Sequence, residues 1–211
     1  ELDAAVEGAI AAKYRNTGQT CVCANRLLGH DAVYDAFAGK LAAAVKTLEP
    51  ANGTDASATQ GPLIDDKAVA KVESHIADAI AKGGTVLLGG KRHALGGNFF
   101  QPTILDHVTD SMTIAREETF GPVVPITPLD GEADALAVID RSPFGLLAAV
   151  FTRDLRRGLA FAASARPGWV NITERPDSWA SPLPFGGPPA SGFVEPRTLW
   201  RSRPFARAVT S

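Results

Sequence analysis

The chain has 211 residues, 45% of them hydrophobic and 21% charged, which is the balance of a folded globular protein and excludes a wholly disordered or collagen-like one. At about 150 residues per domain this length makes one or two domains and can bury a core. The net charge of −2 conceals an asymmetry, with 7 Lys, 4 Arg and 19 acids in residues 1–140 (net −8) against 10 Arg, no Lys and 4 acids in residues 141–211 (net +6).

Residues 2–13 place Leu2, Val6, Ala9 and Ile10 on one helical face. A glycine-containing loop follows, then a short strand near Arg26–Gly29. Residues 31–48 predict an amphipathic helix, with Val33, Phe37, Leu41 and Val45 at helical spacing and Asp31 as its N-cap. Glu49–Thr59 is loop chemistry, and residues 65–82 predict another helix that stops at Gly83-Gly84. Short strands are expected at Val86–Leu88, Thr103–Leu105 and Val123–Ile126. A helix over 131–140, a strand Leu146–Thr152, a helix Leu155–Ala163 and a strand Trp169–Ile172 complete the series. This alternation predicts an α/β fold with a largely parallel sheet, one domain over residues 1–174. From Arg175 the pattern dissolves into Pro, Gly, Ser and Arg, so residues 175–211 read as an irregular loop and tail.

No apolar run reaches the ~18 residues of a membrane helix, and no basic-then-apolar leader opens the chain. The expectation is a cytoplasmic protein with no membrane partner. The C-terminal arginines are scattered among Pro, Ser and Ala with no accompanying motif, so no nucleic-acid partner is expected either. His30, His75, His93 and His107 lie on separate elements without metal-binding spacing, so no metal is expected.

The stretch Tyr14–Arg26 reads YRNTGQTCVCANR. Cys21 follows a Gly-Gln turn at the end of a helix. A nucleophilic thiol needs partial exposure and a nearby donor, and a glycine loop lets a substrate carbonyl approach the backbone. The alternative is a small buried hydrophobe. Cys21 and Cys23 are one residue apart, too close for a structural staple.

Tyr14, Asn16, Gly18, Gln19, Cys21 and Arg26 fit an aromatic-x-Asn-x-Gly-Gln-x-Cys-x-x-x-x-Arg pattern. About 100 residues on, Arg116–Pro122 reads REETFGP, and Pro184–Gly187 reads PFGG before Ser191-Gly192. These three ordered motifs resemble the catalytic domain of the aldehyde dehydrogenase superfamily, a three-layer α/β fold. The nearest resemblance is to the succinic and glutaric semialdehyde dehydrogenases, close over residues 1–171 and partial over 172–192. It implies oxidation of a small aldehyde with NAD or NADP, through a thioester on Cys21, whose backbone N–H helps hold the oxyanion. It further implies that Glu118 and Phe120 hold the nicotinamide ribose and that Arg15 binds the distal carboxylate of a semialdehyde. Cys23 becomes the redox partner of Cys21. Against these stand plainer readings: a helix-end Glu118, a core Phe120, a surface Arg15 and a passive Cys23. Glu117 is expected to cap or pair locally.

The resemblance also marks departures. The family's coenzyme-binding domain and the glutamate of its Glu-Leu-Gly-Gly motif have no counterpart here. Glu1-Leu2 is only a superficial match, because Asp3-Ala4 replace the glycines and Glu1 lies too near Cys21. Pro189 stands where the family has Lys, and after Gly192 no further match to the family is expected. These differences imply a family catalytic domain that alone turns over little or no aldehyde, from a homo-oligomeric parent. Two alternatives stay open: a non-catalytic remnant, and a coenzyme-independent thiol esterase.

Overall fold

A computed structural model describes residues 2–174 together with Gly186 and Ser191. The chain forms two compact units, one of Ala9–Leu129 and the other of the residues up to Gly8 and from Asp130 onward. Most of the tail expected from residue 175 lies outside the described residues.

In chain order the elements are α1 (Leu2–Tyr14), β1 (Leu27–His30), α2 (Asp31–Val45), α3 (Asp66–Ala81), β2 (Thr85–Leu88), β3 (Thr103–Asp106), β4 (Val123–Leu129), α4 (Glu132–Arg141), β5 (Leu147–Val150), α5 (Leu155–Ser164) and β6 (Trp169–Ile172). Two 3-10 turns, Arg15–Gly18 and Thr113–Ala115, were not anticipated. The fold is α/β with mostly parallel pairing. In the Ala9–Leu129 unit the strand order is β1-β4-β3-β2, with β4 parallel to β1 and β3, and only the edge strand β2 antiparallel. In the other unit β5 and β6 pair in parallel.

Strand β4 runs past its expected end at Ile126 to Leu129, through Pro125 and Pro128. Proline lacks the N–H of a strand ladder and is normally confined to edges. The register removes the conflict. Val123–Pro125 pair with β3 and Ile126–Leu129 pair with β1, so each proline sits where the strand has a neighbour on one side only.

Helix α3 begins where its sequence says it should. The Asp65 carboxylate accepts from the Ala68 amide at 2.8 Å, a cap worth about 0.5–2 kcal/mol. It closes through Gly83, at φ +95°, and a bond from the Gly84 amide to the Ala79 carbonyl at 2.9 Å. Val69, Val72, Ile76 and Ala79 from one α3 face join Phe100, Leu105, Met112, Ile114 and Val123 in the main core.

Two expectations for α2 are corrected. Its N-cap is His30, not Asp31: extended His30 accepts from the Ala32 amide at Nδ1 (3.1 Å), and Asp31 is already helical, its charge in the first turn where the dipole favours it. Its buried face is Tyr34, Ala38, Leu41 and Val45, while Val33 is 42% exposed. Both stripes have helical spacing and share Leu41 and Val45. Tyr34 decides between them, because its ring lies over Gly29, meets the His107 ring edge-on at 6.2 Å and donates its hydroxyl to Asp106. Among the described residues no helix is long and apolar enough to cross a membrane.

This rotation has a direct test in urea denaturation. Leu41→Ala should cost about 2–5 kcal/mol, as expected for a fully buried leucine. Val33→Ala should stay within about 0.5 kcal/mol. The reverse order would contradict the observed face.

Candidate active site

The cysteine segment leaves α1 through an unusual backbone. Tyr14 ends the helix buried, its hydroxyl donating to the Thr103 carbonyl at 2.9 Å. Asn16, Thr17 and Gly18 then take φ of +48°, +57° and +76° in succession. Left-handed backbone costs a non-glycine residue roughly 1–2 kcal/mol, so something must hold the turn. Thr17 Oγ1 donates to the Gly61 carbonyl (3.2 Å) and accepts from the Gly61 amide (3.0 Å). Gln19 Oε1 accepts from the Ile64 amide at 2.9 Å, its Nε2 donates to the Pro62 carbonyl at 3.3 Å, and Asn16 Nδ2 donates to the Gln19 carbonyl at 3.2 Å. Thr17 and Gln19 therefore tie the loop down along residues 61–64.

The two cysteines emerge from that turn in opposite environments. Cys21 is exposed and Cys23 is buried. Cys23 Sγ lies 2.9 Å from Thr20 Oγ1 and donates to the Arg15 carbonyl at 3.6 Å, so it braces the turn from inside. Arg15 is exposed at the start of the 3-10 turn.

The second motif forms a loop between the Thr113–Ala115 turn and β4. Glu118 is half-buried, Thr119 is buried, and Phe120 is 37% exposed with φ +51°. The loop meets the cysteine segment backbone to backbone: a Cβ on Gly18 would run into the Gly121 carbonyl, and one on Gly121 would overlap Val72. The fold thus joins the segments bearing Arg15, Cys21 and Cys23 to the segment bearing Glu118 and Phe120. Glu117 does not pair locally. Its carboxylate sits 3.7 Å from His75 Nε2 on α3, 42 residues away.

Of the third motif, Gly186 and Ser191 are described, and Ser191 Oγ accepts from the Gly145 amide at 2.6 Å. The rest of PFGG falls outside the described residues. Among the described residues no group of three or more His, Cys, Asp or Glu could hold a metal ion.

Two site residues escaped the sequence reading. Lys13 is 1% exposed, and His75 is 2% exposed with Nδ1 3.1 Å from Thr119 Oγ1. Both carried a signal in their spacing, Lys13 following Val6 and Ala9 down one face of α1, and His75 lying inside the Val69–Val72–Ile76–Ala79 stripe. Burial pushes the Lys13 ammonium from 10.5 down to about 8, against the pull of the neighbouring Cys23 and Glu118.

That depression predicts a pH-dependent cost. Below about pH 8 both folded and unfolded states hold the Lys13 proton, and its burial costs ~3 kcal/mol, at about 1.4 kcal/mol per tenfold change in proton affinity. Between about pH 8 and 10.5 the unfolded state holds more of that proton, and the cost fades as pH rises. Lys13→Met should therefore be more stable than the wild type at pH 7, with the difference shrinking towards pH 10.5 in urea denaturation. A difference constant across that range would contradict the depressed value.

Comparison with known proteins follows from this geometry. Residues 1–203 match the aldehyde dehydrogenase family, which corrects the expectation that the resemblance ends at Gly192. A glutarate-semialdehyde dehydrogenase of Pseudomonas aeruginosa is 53% identical over 193 residues, covering 92% of this chain and 40% of the relative. A succinate-semialdehyde dehydrogenase (NADP(+)) of Escherichia coli is 52% identical over the same shares. Among solved structures, the succinate-semialdehyde dehydrogenase of Burkholderia pseudomallei superposes with a TM-score of 0.86 at 50% identity, covering 92% of this chain and 40% of that one. The betaine aldehyde dehydrogenase of Staphylococcus aureus, in complex with NAD+, superposes with a TM-score of 0.86 at 33% identity, covering 92% and 39%. The chain spans about 40% of the length of the curated relatives it matches. With three motifs, a fold and a family match in agreement, the chain belongs to the aldehyde dehydrogenase family.

Proposed function

We propose that this chain carries the cysteine half of an NAD(P)+-dependent oxidation of a semialdehyde, with Cys21 as nucleophile. The observation that carries this reading is the exposed Cys21 thiol on a loop held against the Glu118–Phe120 segment, while its neighbour Cys23 is buried. The names of the similar proteins, succinate- and glutarate-semialdehyde dehydrogenases, support a short dicarboxylic semialdehyde as substrate.

The chemistry divides one oxidation into two steps. Cys21 Sγ, as thiolate, adds to the aldehyde carbon, and the carbonyl oxygen becomes an alkoxide that the Cys21 N–H helps to stabilise. The alkoxide collapses to a thioester as hydride leaves. Water then replaces sulfur at the acyl carbon, releasing the acid and returning Cys21 to the thiol. NAD(P)+, when bound, supplies the hydride acceptor. The residues present fit its nicotinamide end, since Glu118 offers a half-buried carboxylate to ribose hydroxyls and Phe120, two residues on, an exposed ring. Arg15, exposed six residues before Cys21, offers a planar fork to the distal carboxylate of the substrate. Cys23 is the partner with which Cys21 would form a reversible, inactivating disulfide.

The experiment is Arg15→Ala and Cys21→Ala in an aldehyde dehydrogenase carrying this segment. Cys21→Ala should abolish NAD(P)H production. Arg15→Ala should raise KM for succinic semialdehyde about ten- to hundredfold, the scale of one charge-assisted bond, and leave KM for butanal nearly unchanged. Equal effects on both aldehydes would refute the role of Arg15. Full turnover by Cys21→Ala would refute the nucleophile.

A further inference from the structure

His75 is a buried imidazole that the proposed chemistry does not use. It sits in the apolar stripe of α3, between Val72 and Ile76, at 2% exposure. A polar ring in such surroundings needs partners. Those seen here both come from the Arg116–Pro122 loop: Thr119 Oγ1 at 3.1 Å from Nδ1, and the Glu117 carboxylate at 3.7 Å from Nε2. They flank Glu118 on either side, and Thr119 immediately precedes Phe120.

The Nε2–H tautomer suits both partners. It turns the ring N–H towards the Glu117 carboxylate, an electrostatic neighbour at 3.7 Å rather than a hydrogen bond, and leaves Nδ1 to accept from the Thr119 hydroxyl at 3.1 Å. Burial, together with Lys71 one turn earlier on α3, holds the His75 pKa below 6.5 against the pull of Glu117 and of Asp78 on α3. The neutral ring is therefore the form present at pH 7.

The backbone around these contacts is strained. Phe120 is not glycine, yet holds φ +51°. Such a conformation persists only where its neighbours over-determine it. On one side Gly121 is wedged between Gly18 and Val72. On the other, Thr119 is tied to His75.

We propose that His75 is a positioning residue for the nicotinamide-ribose grip: through Thr119 and Glu117 it fixes the backbone that aims Glu118 and Phe120. This rests on the reading of Glu118 and Phe120 as coenzyme contacts. Without the Thr119 anchor, Phe120 relaxes towards negative φ, its ring leaves the position it now holds, and Glu118 moves with it. His75→Asn keeps a polar atom at the Nδ1 position and preserves the anchor. His75→Phe fills the space and removes it.

The test has two readouts. In the wild-type 211-residue chain, the 15N spectrum of the His75 ring should show the neutral Nε2–H tautomer at pH 7; an Nδ1–H tautomer would overturn the direction given to the Thr119 bond. In an aldehyde dehydrogenase carrying this segment, fluorescence titration with NADPH and NADH should show about tenfold weaker binding for His75→Phe, the scale of one lost buried hydrogen bond, and near wild-type binding for His75→Asn. The Glu118 and Phe120 amide resonances should shift in His75→Phe and stay in place in His75→Asn. Unchanged affinity and resonances in His75→Phe, or an Asn variant as weak as the Phe variant, would overturn the proposal. Glu118→Gln separates the underlying reading: no effect of that change on coenzyme affinity would sink Glu118 as a ribose contact, whereas a weakening there beside an inert His75→Phe would sink His75 alone.

Discussion

Gly18 and Gly121 touch through their backbones, and the candidate site depends on that contact. A side chain at Gly18 would occupy the place of the Gly121 carbonyl. Each glycine lies inside a chemistry-bearing motif, one three residues before Cys21 and the other directly after Phe120. The contact therefore brings together the segment that bears the thiol and the segment that bears Glu118 and Phe120, about 100 residues apart in sequence. The hydrogen bonds of Thr17 and Gln19 to residues 61–64 hold one side of it. Val72 packs against the other.

Beneath this contact the protein buries polar groups that an apolar core would avoid. Lys13 sits within electrostatic reach of Cys23 and Glu118, one on each side of the contact, and is fully enclosed. His75 binds the loop from α3. Buried polar groups cost stability unless they are partnered, and they restrict the backbone to arrangements that keep the partners. A loop with three consecutive left-handed residues needs that restriction, because the unstrained alternatives are numerous.

The element order and the parallel pairing were legible in the sequence because apolar periodicity changes cleanly between helix and strand. The extent of α3 and its Gly83-Gly84 stop were legible for local chemical reasons. The face of α2 was not, because two stripes one residue apart share Leu41 and Val45, and the choice is made by Tyr34 reaching Asp106 on β3. Nor was the extension of β4, since Pro128 reads as a breaker until the staggered register is known. In the site, the Gly-Gln turn after α1 predicts a loop around Cys21, and Cys21 is exposed there; Glu118 and Phe120 lie on the loop before β4. Lys13 and His75 stayed hidden because a charged or titratable residue on an apolar stripe reads as an exception to the stripe, and only tertiary partners say why it is there. The pairing of Glu117 was hidden for the same reason, its partner lying on a distant helix.

The backbone contact presents Cys21 to solvent while Cys23 is withdrawn to brace the turn. This is tested by the rate of iodoacetamide labelling at each cysteine, followed by mass spectrometry, in the wild type and in Gly18→Ala. The wild type should label Cys21 at least about tenfold faster than Cys23, as exposure governs thiol access, and Gly18→Ala should narrow the difference by displacing the turn. Equal labelling of the two cysteines in the wild type, or an undiminished preference in Gly18→Ala, would contradict it.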